Sequence, residues 1–198
     1  MLLLASLAFL SGPGSAQTKK SAPQKGDAQQ PVDWNTKRVA FEIHGQPWSA
    51  VLAWFANQAQ MSWTSKAGIP VGTFTFVPGQ DKWGKPRQYT LTEVFDIINE
   101  RLQTEHQFIV LRGEMVLTVI FGDCVDEKPY LVPRLNLSEL KQRGRTEIVE
   151  VVVSPPAGVD AREYLHAKRS LGEFGRVSVD NAQVILRSDA ATLRRLLP

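Results

Sequence analysis

The residues that could catalyse a reaction or bind a metal are few and widely separated. The three histidines, His44, His106 and His166, form no ligand-spaced pair, whereas the ligands of a metal site must converge. No Gly-x-Ser-x-Gly motif is present, and no nucleophile signature surrounds the single cysteine, Cys124. The glycines form no phosphate-binding loop. The sequence therefore predicts no catalytic residue, no metal ligand and no cofactor, and we expect a protein that is not an enzyme.

The tryptophans are better candidates for a functional role. Trp48 lies on the apolar stripe of a predicted helix, so we expect it in the core, whereas Trp54 lies off that stripe and Trp83 falls in a polar loop. Because an exposed indole often marks a protein interface, Trp54 is a predicted interaction residue, although packing against the first strand would explain it equally well. Alternatively, Trp54, Trp63 and Trp83 would form an aromatic cleft for a sugar.

Arginines supply a second set of candidates. Arg162, Arg169 and Arg187 fall in the second predicted domain, where we expect them to contact other subunits. A further basic set lies between the two predicted domains, as a solvated linker face or as a contact to Glu163 or Glu173 of a neighbour: Arg134, Lys141, Arg143 and Arg145. Lysine and arginine are otherwise spread along a chain of net charge +3, so we expect no nucleic-acid binding.

The first residues indicate export. Residues 1–10 are nearly all apolar and Gly14-Ser15-Ala16 follows, which is typical of a signal peptide (residues 1–16) cut after Ala16. No lysine or arginine precedes the apolar run. A membrane-spanning helix needs about 20 apolar residues, so we expect membrane association only through partners. Residues 17–35 contain too few apolar side chains to order themselves and are predicted to be a disordered linker. The sequence therefore predicts an exported protein.

The elements that would position these side chains form two small domains of α+β class. Residues 36–122 predict the order strand, helix, two strands, helix, two strands, with both helices marked by an apolar stripe at i, i+3, i+4, i+7 and i+11. Thr90 and Glu93 predict a capping box. The predicted elements are residues 39–43, 48–59, 61–64, 73–77, 91–102, 107–111 and 115–121, with a loop over 78–87.

A second, compact βαββα domain is predicted over residues 145–198, after a connector over 123–144 in which 135–142 form a short helix. Its strand at 148–153 is β-branched, Asp160 begins a helix, and the strands around 177–179 and 184–186 precede a closing helix capped by Ser188 or Asp189. Because a domain of about fifty residues buries a smaller share of its surface than a larger domain does, we expect it to dock on the first domain or to assemble with other copies.

Several segments, taken in order, carry a family resemblance. They are Val39-Ala40-Phe41-Glu42-Ile43, Gln46-Pro47-Trp48-Ser49-Ala50-Val51-Leu52-Ala53-Trp54-Phe55-Ala56, Gly72-Thr73-Phe74, Tyr89-Thr90-Leu91-Thr92-Glu93-Val94, Asn99 and Leu131-Val132-Pro133-Arg134. They are similar to the N-terminal domain of bacterial secretins, most closely to versions in planctomycete-like bacteria. Residues 147–198 resemble the short ring-building domain of secretins in type II and type III secretion systems.

The resemblance implies a non-enzymatic envelope module that acts through contacts with other secretin-type subunits or secretion-system proteins, with a homo-oligomer as one possibility. No further repeat and no series of amphipathic strands follows Pro198, so we do not expect this chain to conduct a substrate by itself. Two alternatives stay open. One is the signalling-type short domain of an outer-membrane receptor, and the other is an exported carbohydrate-binding protein.

Overall fold

The computed structural model describes residues 32–155, 158, 171–180 and 183–197. The predicted signal peptide, most of the predicted linker and the helix predicted to begin at Asp160 lie outside these residues, as do Arg162 and Arg169. The described part contains both helices and strands, which confirms the α+β class. The predicted boundaries between the two domains stay a prediction.

Eleven strands and four α-helices occur among the described residues. The strands are β1 (Arg38–Ala40), β2 (Ile43–Pro47), β3 (Ser62–Ser65), β4 (Thr73–Phe76), β5 (Gln88–Thr90), β6 (Phe108–Arg112), β7 (Val116–Phe121), β8 (Arg134–Leu135), β9 (Ile148–Val153), β10 (Arg176–Asp180) and β11 (Gln183–Asp189). The helices are α1 (Trp48–Ala59), α2 (Leu91–His106), α3 (Leu137–Leu140) and α4 (Ala190–Leu196), and two short 3-10 helices span Asp123–Val125 and Pro129–Leu131.

Local sequence signals predicted both α1 and α2. The apolar stripe of α1 is buried, as predicted, and includes Trp48 and Phe55. At the start of α2 the capping box is confirmed: the Glu93 N–H donates to Thr90 Oγ1 at 3.1 Å, and the Thr90 N–H donates to Glu93 Oε2 at 2.8 Å. These bonds satisfy two donors that the first helical turn leaves free.

The two helices pack against a three-stranded sheet in the order β3-β7-β6. Strand β3 is parallel to β7, and β6 is antiparallel to β7. All five residues of β6 are buried. Phe108 and Val110 face the core around α1 and α2, whereas Ile109 and Leu111 join a second apolar cluster on the opposite face. Both faces of this strand are therefore covered, as its continuous apolar sequence requires.

The first predicted strand is in fact two strands. Strand β1 pairs with β5, whereas β2 pairs with β4 through a register irregularity. Phe41, fully buried, lies between them and stacks on Phe74 and Phe76. The sequence predicted one strand here because Val39 and Phe41 both face the core, so apolar and polar residues alternate across the point where the pairing partner changes. Strand β5 was not predicted, because its pairing with β1 is distant in sequence.

The ordered part of the chain begins earlier in the sequence than its composition predicted. Trp34, which falls in the predicted linker, is only 9% exposed and belongs to the main core cluster. Its ring lies 5.5 Å from that of Phe55 and 5.9 Å from that of Phe95. A single buried indole contributes a large apolar area, enough to order a short segment that is otherwise polar. The prediction of a disordered linker is therefore wrong for residues 32–35.

The C-terminal part is a four-stranded sheet in the order β10-β11-β9-β8, with α4 packed against it. Strand β9 matches the predicted 148–153. Asp189 caps α4 by accepting a hydrogen bond from the Thr192 N–H at 2.8 Å, as predicted. Helix α3 is shorter than the predicted 135–142, because Leu135 pairs with Val151 as part of β8.

A third apolar cluster connects the β6–β7 hairpin to the C-terminal sheet. Its buried members are Ile109, Leu111, Ile120, Val125, Val132 and Ile148. Ile148 comes from β9, and Val125 and Val132 come from the connector. The connector therefore contributes to the interior instead of forming a solvated link.

Candidate interaction surfaces

A buried polar network joins α2 to the segment that precedes β9. Asp96 Oδ1 accepts hydrogen bonds from the backbone N–H and the hydroxyl of Thr146, at 2.9 and 2.8 Å, and Asp96 Oδ2 accepts one from the Arg145 N–H at 2.9 Å. Three residues further along α2, the Asn99 side chain donates to the Thr146 carbonyl at 3.0 Å and accepts from the Val110 N–H at 2.7 Å. Residues three apart lie on the same face of a helix, so Asp96 and Asn99 both contact Thr146 from one face of α2.

Glu147 is the centre of a second buried group. Its side chain is 2% exposed, and it lies 2.9 Å from Arg112 Nε and 3.1 Å from Arg143 Nη1. The Gly144 N–H donates to Glu147 Oε1 at 2.5 Å. Burial lowers the pKa of Arg112 to about 10, although Glu147 opposes this change, and the guanidinium therefore stays charged at neutral pH. Its carbon lies 4.1 Å from the centroid of the Trp34 ring.

These contacts engage both buried carboxylates, those of Asp96 and Glu147, with groups of the chain itself. Each carboxylate is occupied by donors from the chain itself, which is how buried charge is tolerated. The residues come from segments that are distant in sequence, so the network ties α2, β6 and the segment before β9 into one body. Sequence reasoning missed it, although polar residues on a buried helix face, such as Asp96 and Asn99, were a signal.

The basic set predicted between the domains is not a free charged face. Arg143 pairs with Glu147, and Arg134 pairs with Glu150, with 3.3 Å between Nη2 and Oε2. Arg145 pairs with Glu100, and this hydrogen bond raises the pKa of Arg145. Three of the four side chains are therefore engaged within the chain.

Arg187, a predicted contact to other subunits, is buried. It is 6% exposed, its Nη1 donates to the Val125 carbonyl at 3.1 Å, and its Nη2 pairs with Asp126. Its Nε has no hydrogen-bond partner among the described residues. The face of β11 that carries Arg187 packs against the connector, and a contact from Arg187 to other subunits stays a prediction. Arg162 and Arg169 remain predictions, since they lie outside the described residues.

Of the three tryptophans proposed as an aromatic cleft, two pack against the core. Trp54 is half-buried and stacks on Phe41, with ring centroids 5.3 Å apart. Trp63, on β3, is also partly buried. The packing alternative for Trp54 is therefore the arrangement observed, and a sugar cleft that needs three exposed rings is not formed.

Trp83 is the exposed member of the three. Its side chain is on a loop between β4 and β5, and the residue is 72% exposed. Asp81 braces this loop from within: Oδ1 accepts hydrogen bonds from the N–H groups of Trp83 at 2.8 Å and Lys85 at 2.9 Å, and the Asp81 N–H donates to the Lys85 carbonyl at 2.7 Å. Gly84 adopts a left-handed conformation, with φ of 77°, which glycine adopts without strain.

The loop also presents positive charge. Lys82 Nζ lies 4.2 Å from the centroid of the Trp83 ring, within the range of a cation–π contact. Lys85 is exposed. Because the Asp81 carboxylate accepts backbone hydrogen bonds, the outward side chains at the tip are one indole and two ammonium groups.

Among residues 32–155, 158, 171–180 and 183–197, no group of three or more His, Cys, Asp or Glu is arranged to hold a metal. His44 contacts Glu42, and His106 accepts a hydrogen bond from the Trp48 indole at 3.0 Å. Burial, followed by the nearby Asp123, raises the pKa of the Cys124 thiol, so the thiolate is disfavoured. A cleft of about 480 Å³ lies beside the connector, between Gln103 of α2 and Phe174.

None of the helices within the described residues is both long and apolar enough to cross a membrane.

Comparison with solved structures gives matches to secretin N-terminal regions. The first is the Klebsiella pneumoniae type II secretion system outer membrane complex of PulD, PulS and the PulC HR domain, with a TM-score of 0.47 and 16% identity over 80% of this chain. This chain spans 25% of the matched chain. The N-terminal domain of the secretin XcpQ from Pseudomonas aeruginosa gives a TM-score of 0.35 and 10% identity, over 81% of this chain and 62% of that one.

The GspC-GspD complex of enterotoxigenic Escherichia coli gives a TM-score of 0.33 and 12% identity, over 81% of this chain and 94% of the matched chain. No protein-family profile and no curated protein matches the sequence. The structural neighbours are thus of the kind that the sequence resemblance predicted. At these scores the similarity assigns no role to any residue.

Proposed function

We propose that this chain is an exported, non-enzymatic module of a type II or type III secretion-like assembly, and that it acts in the periplasm through protein–protein contacts. Its proposed partners are other secretin-type subunits or secretion-system proteins. The sequence resemblance to secretin N-terminal regions supports the assembly, and the exposed Trp83 supports the mode of action.

The observation that carries the proposal is the exposure of an indole on a braced loop. Leaving a large aromatic side chain in water is unfavourable, and burial of its apolar surface against a partner would stabilise a complex. Tryptophan is enriched among the few residues that dominate binding energy at interfaces. The hydrogen bonds of Asp81 hold the loop in advance, so little conformational entropy would be lost on binding.

The charges at the loop tip indicate the chemistry of the partner surface. Lys82 and Lys85 flank Trp83, so a complementary site would combine an apolar pocket with acidic side chains at its rim. Such charges chiefly speed association and exclude partners of the wrong sign. The proposed partner is therefore a protein with an acidic rim around an apolar pocket.

The test is a native gel of gently solubilised envelopes from the producing cells, followed by a denaturing second dimension and detection of this chain. The full chain should migrate in a large complex, and Trp83→Ala should release it. Met115→Ala is the matched control, because Met115 is 70% exposed on the separate β6–β7 hairpin and its loss should leave the complex intact.

A wild-type chain that migrates alone would contradict the proposal. So would a complex that Trp83→Ala leaves unchanged, because the loop would then carry none of the binding. Release by both substitutions would indicate general destabilisation, and thermal unfolding of each purified variant separates that outcome from a specific loss.

A further inference from the structure

Strand β10 is an open edge of the C-terminal sheet. It pairs with β11 on one side, and no described strand pairs with its other side. All five of its residues are exposed. The N–H and C=O groups that alternate residues direct toward the free side are a template for another strand. Proteins usually protect such an edge with charges that repel a neighbour, so the charges on β10 decide what it can bind.

The sequence of β10 is self-complementary in charge. It reads Arg176, Val177, Ser178, Val179, Asp180, with a cation at one end, an anion at the other and a serine at the centre. If a second copy of β10 lies antiparallel to the first about Ser178, Arg176 of each copy faces Asp180 of the other. Val177 then faces Val179, which is an apolar cross-strand pair. Both kinds of pair stabilise a sheet.

The period of a strand selects this register over its neighbours. Alternate residues direct their backbone groups to the same edge, so only residues of equal parity can exchange hydrogen bonds. Pairing about Ser178 satisfies that condition at every position. A shift by one residue breaks it, and also brings the side chains of opposite faces together. Shifts by two residues keep the hydrogen bonds but lose both charge pairs.

Arg176 and Asp180 differ in how they are paired within the chain. On the face of the sheet that carries Arg176, both Arg176 and Arg187 pair with the single carboxylate of Asp126, and Asp123 and Glu173 line the same cleft as Arg176. Asp180, at the other end of β10, has no ion-pair partner among the described residues. A twofold arrangement would give Asp180 of each copy an ion-pair partner in Arg176 of the other copy.

We propose that two copies of this chain associate through antiparallel pairing of their β10 edges about a twofold axis at Ser178. The sheets would merge into one continuous eight-stranded sheet, and the contact would be closed, as twofold contacts between identical surfaces are. This inference does not rest on the proposed function, because it concerns the purified chain alone.

The contact is small, which sets the strength to expect. Two five-residue strands bury much less than a standard interface of about 1,600 Å², so the dimer should be weak and concentration-dependent. It would matter most where copies are already held close together, since tethering raises the effective concentration.

Sedimentation velocity of the full chain over increasing concentration tests the proposal. The weight-average mass should rise from 22.1 kDa toward twice that value. Arg176→Glu makes both ends of β10 acidic, and Asp180→Arg makes both ends basic. Each variant alone places like charges opposite each other at two sites, so self-association should weaken by about tenfold or more.

The decisive measurement is an equimolar mixture of the two variants. Glu at position 176 of one chain then faces Arg at position 180 of the other, and Asp180 faces Arg176, so association should return in the mixture only. Glu114→Arg, at the exposed tip of the β6–β7 hairpin, is the control charge reversal and should dimerise like the unmodified chain.

Two results would overturn the proposal. One is a mass that stays at that of the monomer up to about 1 mM chain, the weakest affinity that the method would detect. The other is a mixture that associates no better than its two components. Thermal unfolding of Arg176→Glu serves as the folding control, because the new carboxylate would lie near that of Asp126 and repel it. If Arg176→Glu does not fold, Asp180→Arg alone still tests the proposal.

Discussion

Glu147 and Asp81 both brace a segment of backbone, but they do so in opposite environments. Glu147 accepts a hydrogen bond from the Gly144 N–H within a buried group that includes two arginines. Asp81 accepts hydrogen bonds from the Trp83 and Lys85 N–H groups at the surface. In the first case the carboxylate binds distant segments of the chain together. In the second it holds one loop in shape.

The difference lies in what remains free once the bonds are formed. Around Glu147 the carboxylate is bound by Arg112, Arg143 and the Gly144 N–H, so the junction contributes to stability. Around Asp81 the carboxylate faces inward, whereas the indole and the lysines face solvent. This geometry supports a role for the junction in stability and, under the proposed function, a separate role for the loop in binding. Substitutions in the two regions should therefore affect different measurements.

Glu147→Gln should have the largest effect on stability. Removing one partner of a buried ion pair leaves the other charge buried and uncompensated, at a cost of about 3–5 kcal/mol. Urea denaturation followed by circular dichroism measures the loss. Glu100→Gln is the control, because it breaks the exposed pair with Arg145, which should cost no more than about 1 kcal/mol.

A double variant sharpens this prediction. Replacing Arg112 by Met and Glu147 by Leu together removes the most buried ion pair and fills the site with apolar groups, so part of the lost stability should return, although Arg143 and the Gly144 N–H still lose Glu147 as their partner. If the double variant is no more stable than Glu147→Gln, the uncompensated charge of Arg112 is not what destabilises the single variant.

Asn99→Ala should have an intermediate effect. The change leaves the buried Val110 N–H and the Thr146 carbonyl without these partners, and an unsatisfied buried group costs about 1–3 kcal/mol. Thr104→Ala is a suitable control on the same helix, because its hydroxyl is exposed and donates only to the backbone carbonyls of α2. Equal losses in the two variants would contradict a special role for Asn99.

Much of this fold could be predicted from the sequence because its signals are local. The capping box of Thr90 and Glu93 and the apolar stripe of α1 depend on residues within a few positions of one another. The β-branched strand β9 and the cap of α4 by Asp189 are of the same kind. The predicted elements agree with the structure wherever the pattern and the partner lie close together along the chain.

The parts that were missed depend on pairing between distant residues. Strand β8 is only two residues long and exists because Leu135 meets Val151, and the ordering of Trp34 depends on Phe55 and Phe95. The residues in these contacts are too far apart in the sequence for a local pattern to predict their pairing. The candidate interaction surface was predicted only in part: Trp54 and Trp83 both lie outside the apolar stripe, and of the two only Trp83 is exposed in the structure.

The stability of the protein should also depend on pH through Glu93, a partly exposed carboxyl at the start of α2. Burial of Glu93 acts to raise its pKa, but the Thr90 N–H and the Arg87 guanidinium outweigh this, so the pKa lies below the ordinary 4.5. A carboxyl with a lowered pKa stabilises the folded state above its unfolded pKa, and that contribution is lost as pH falls through the folded value.

Glu93→Gln should therefore be less stable than the unmodified chain at pH 7, and the difference should shrink as the pH falls below 4.5. Because the side chain is 38% exposed, solvent screening limits the difference to about 1 kcal/mol. Thermal unfolding of both proteins between pH 7 and acid measures it. A difference that stays constant with pH would show that the hydrogen-bond geometry matters and the charge does not.

Trp83→Ala should have the smallest effect on stability and yet abolish the complex formed through the loop. An exposed side chain that packs against nothing contributes within about 0.5 kcal/mol to folding, whereas an interface tryptophan can dominate binding. Iodide quenching of tryptophan fluorescence in the purified protein checks the premise. Trp34 and Trp48 are buried and Trp54 and Trp63 are half-buried, so Trp83→Ala should remove most of the readily quenched emission. If quenching persists in the variant, another indole is exposed to iodide. That result would contradict the premise that Trp83 is the main exposed tryptophan among the described residues.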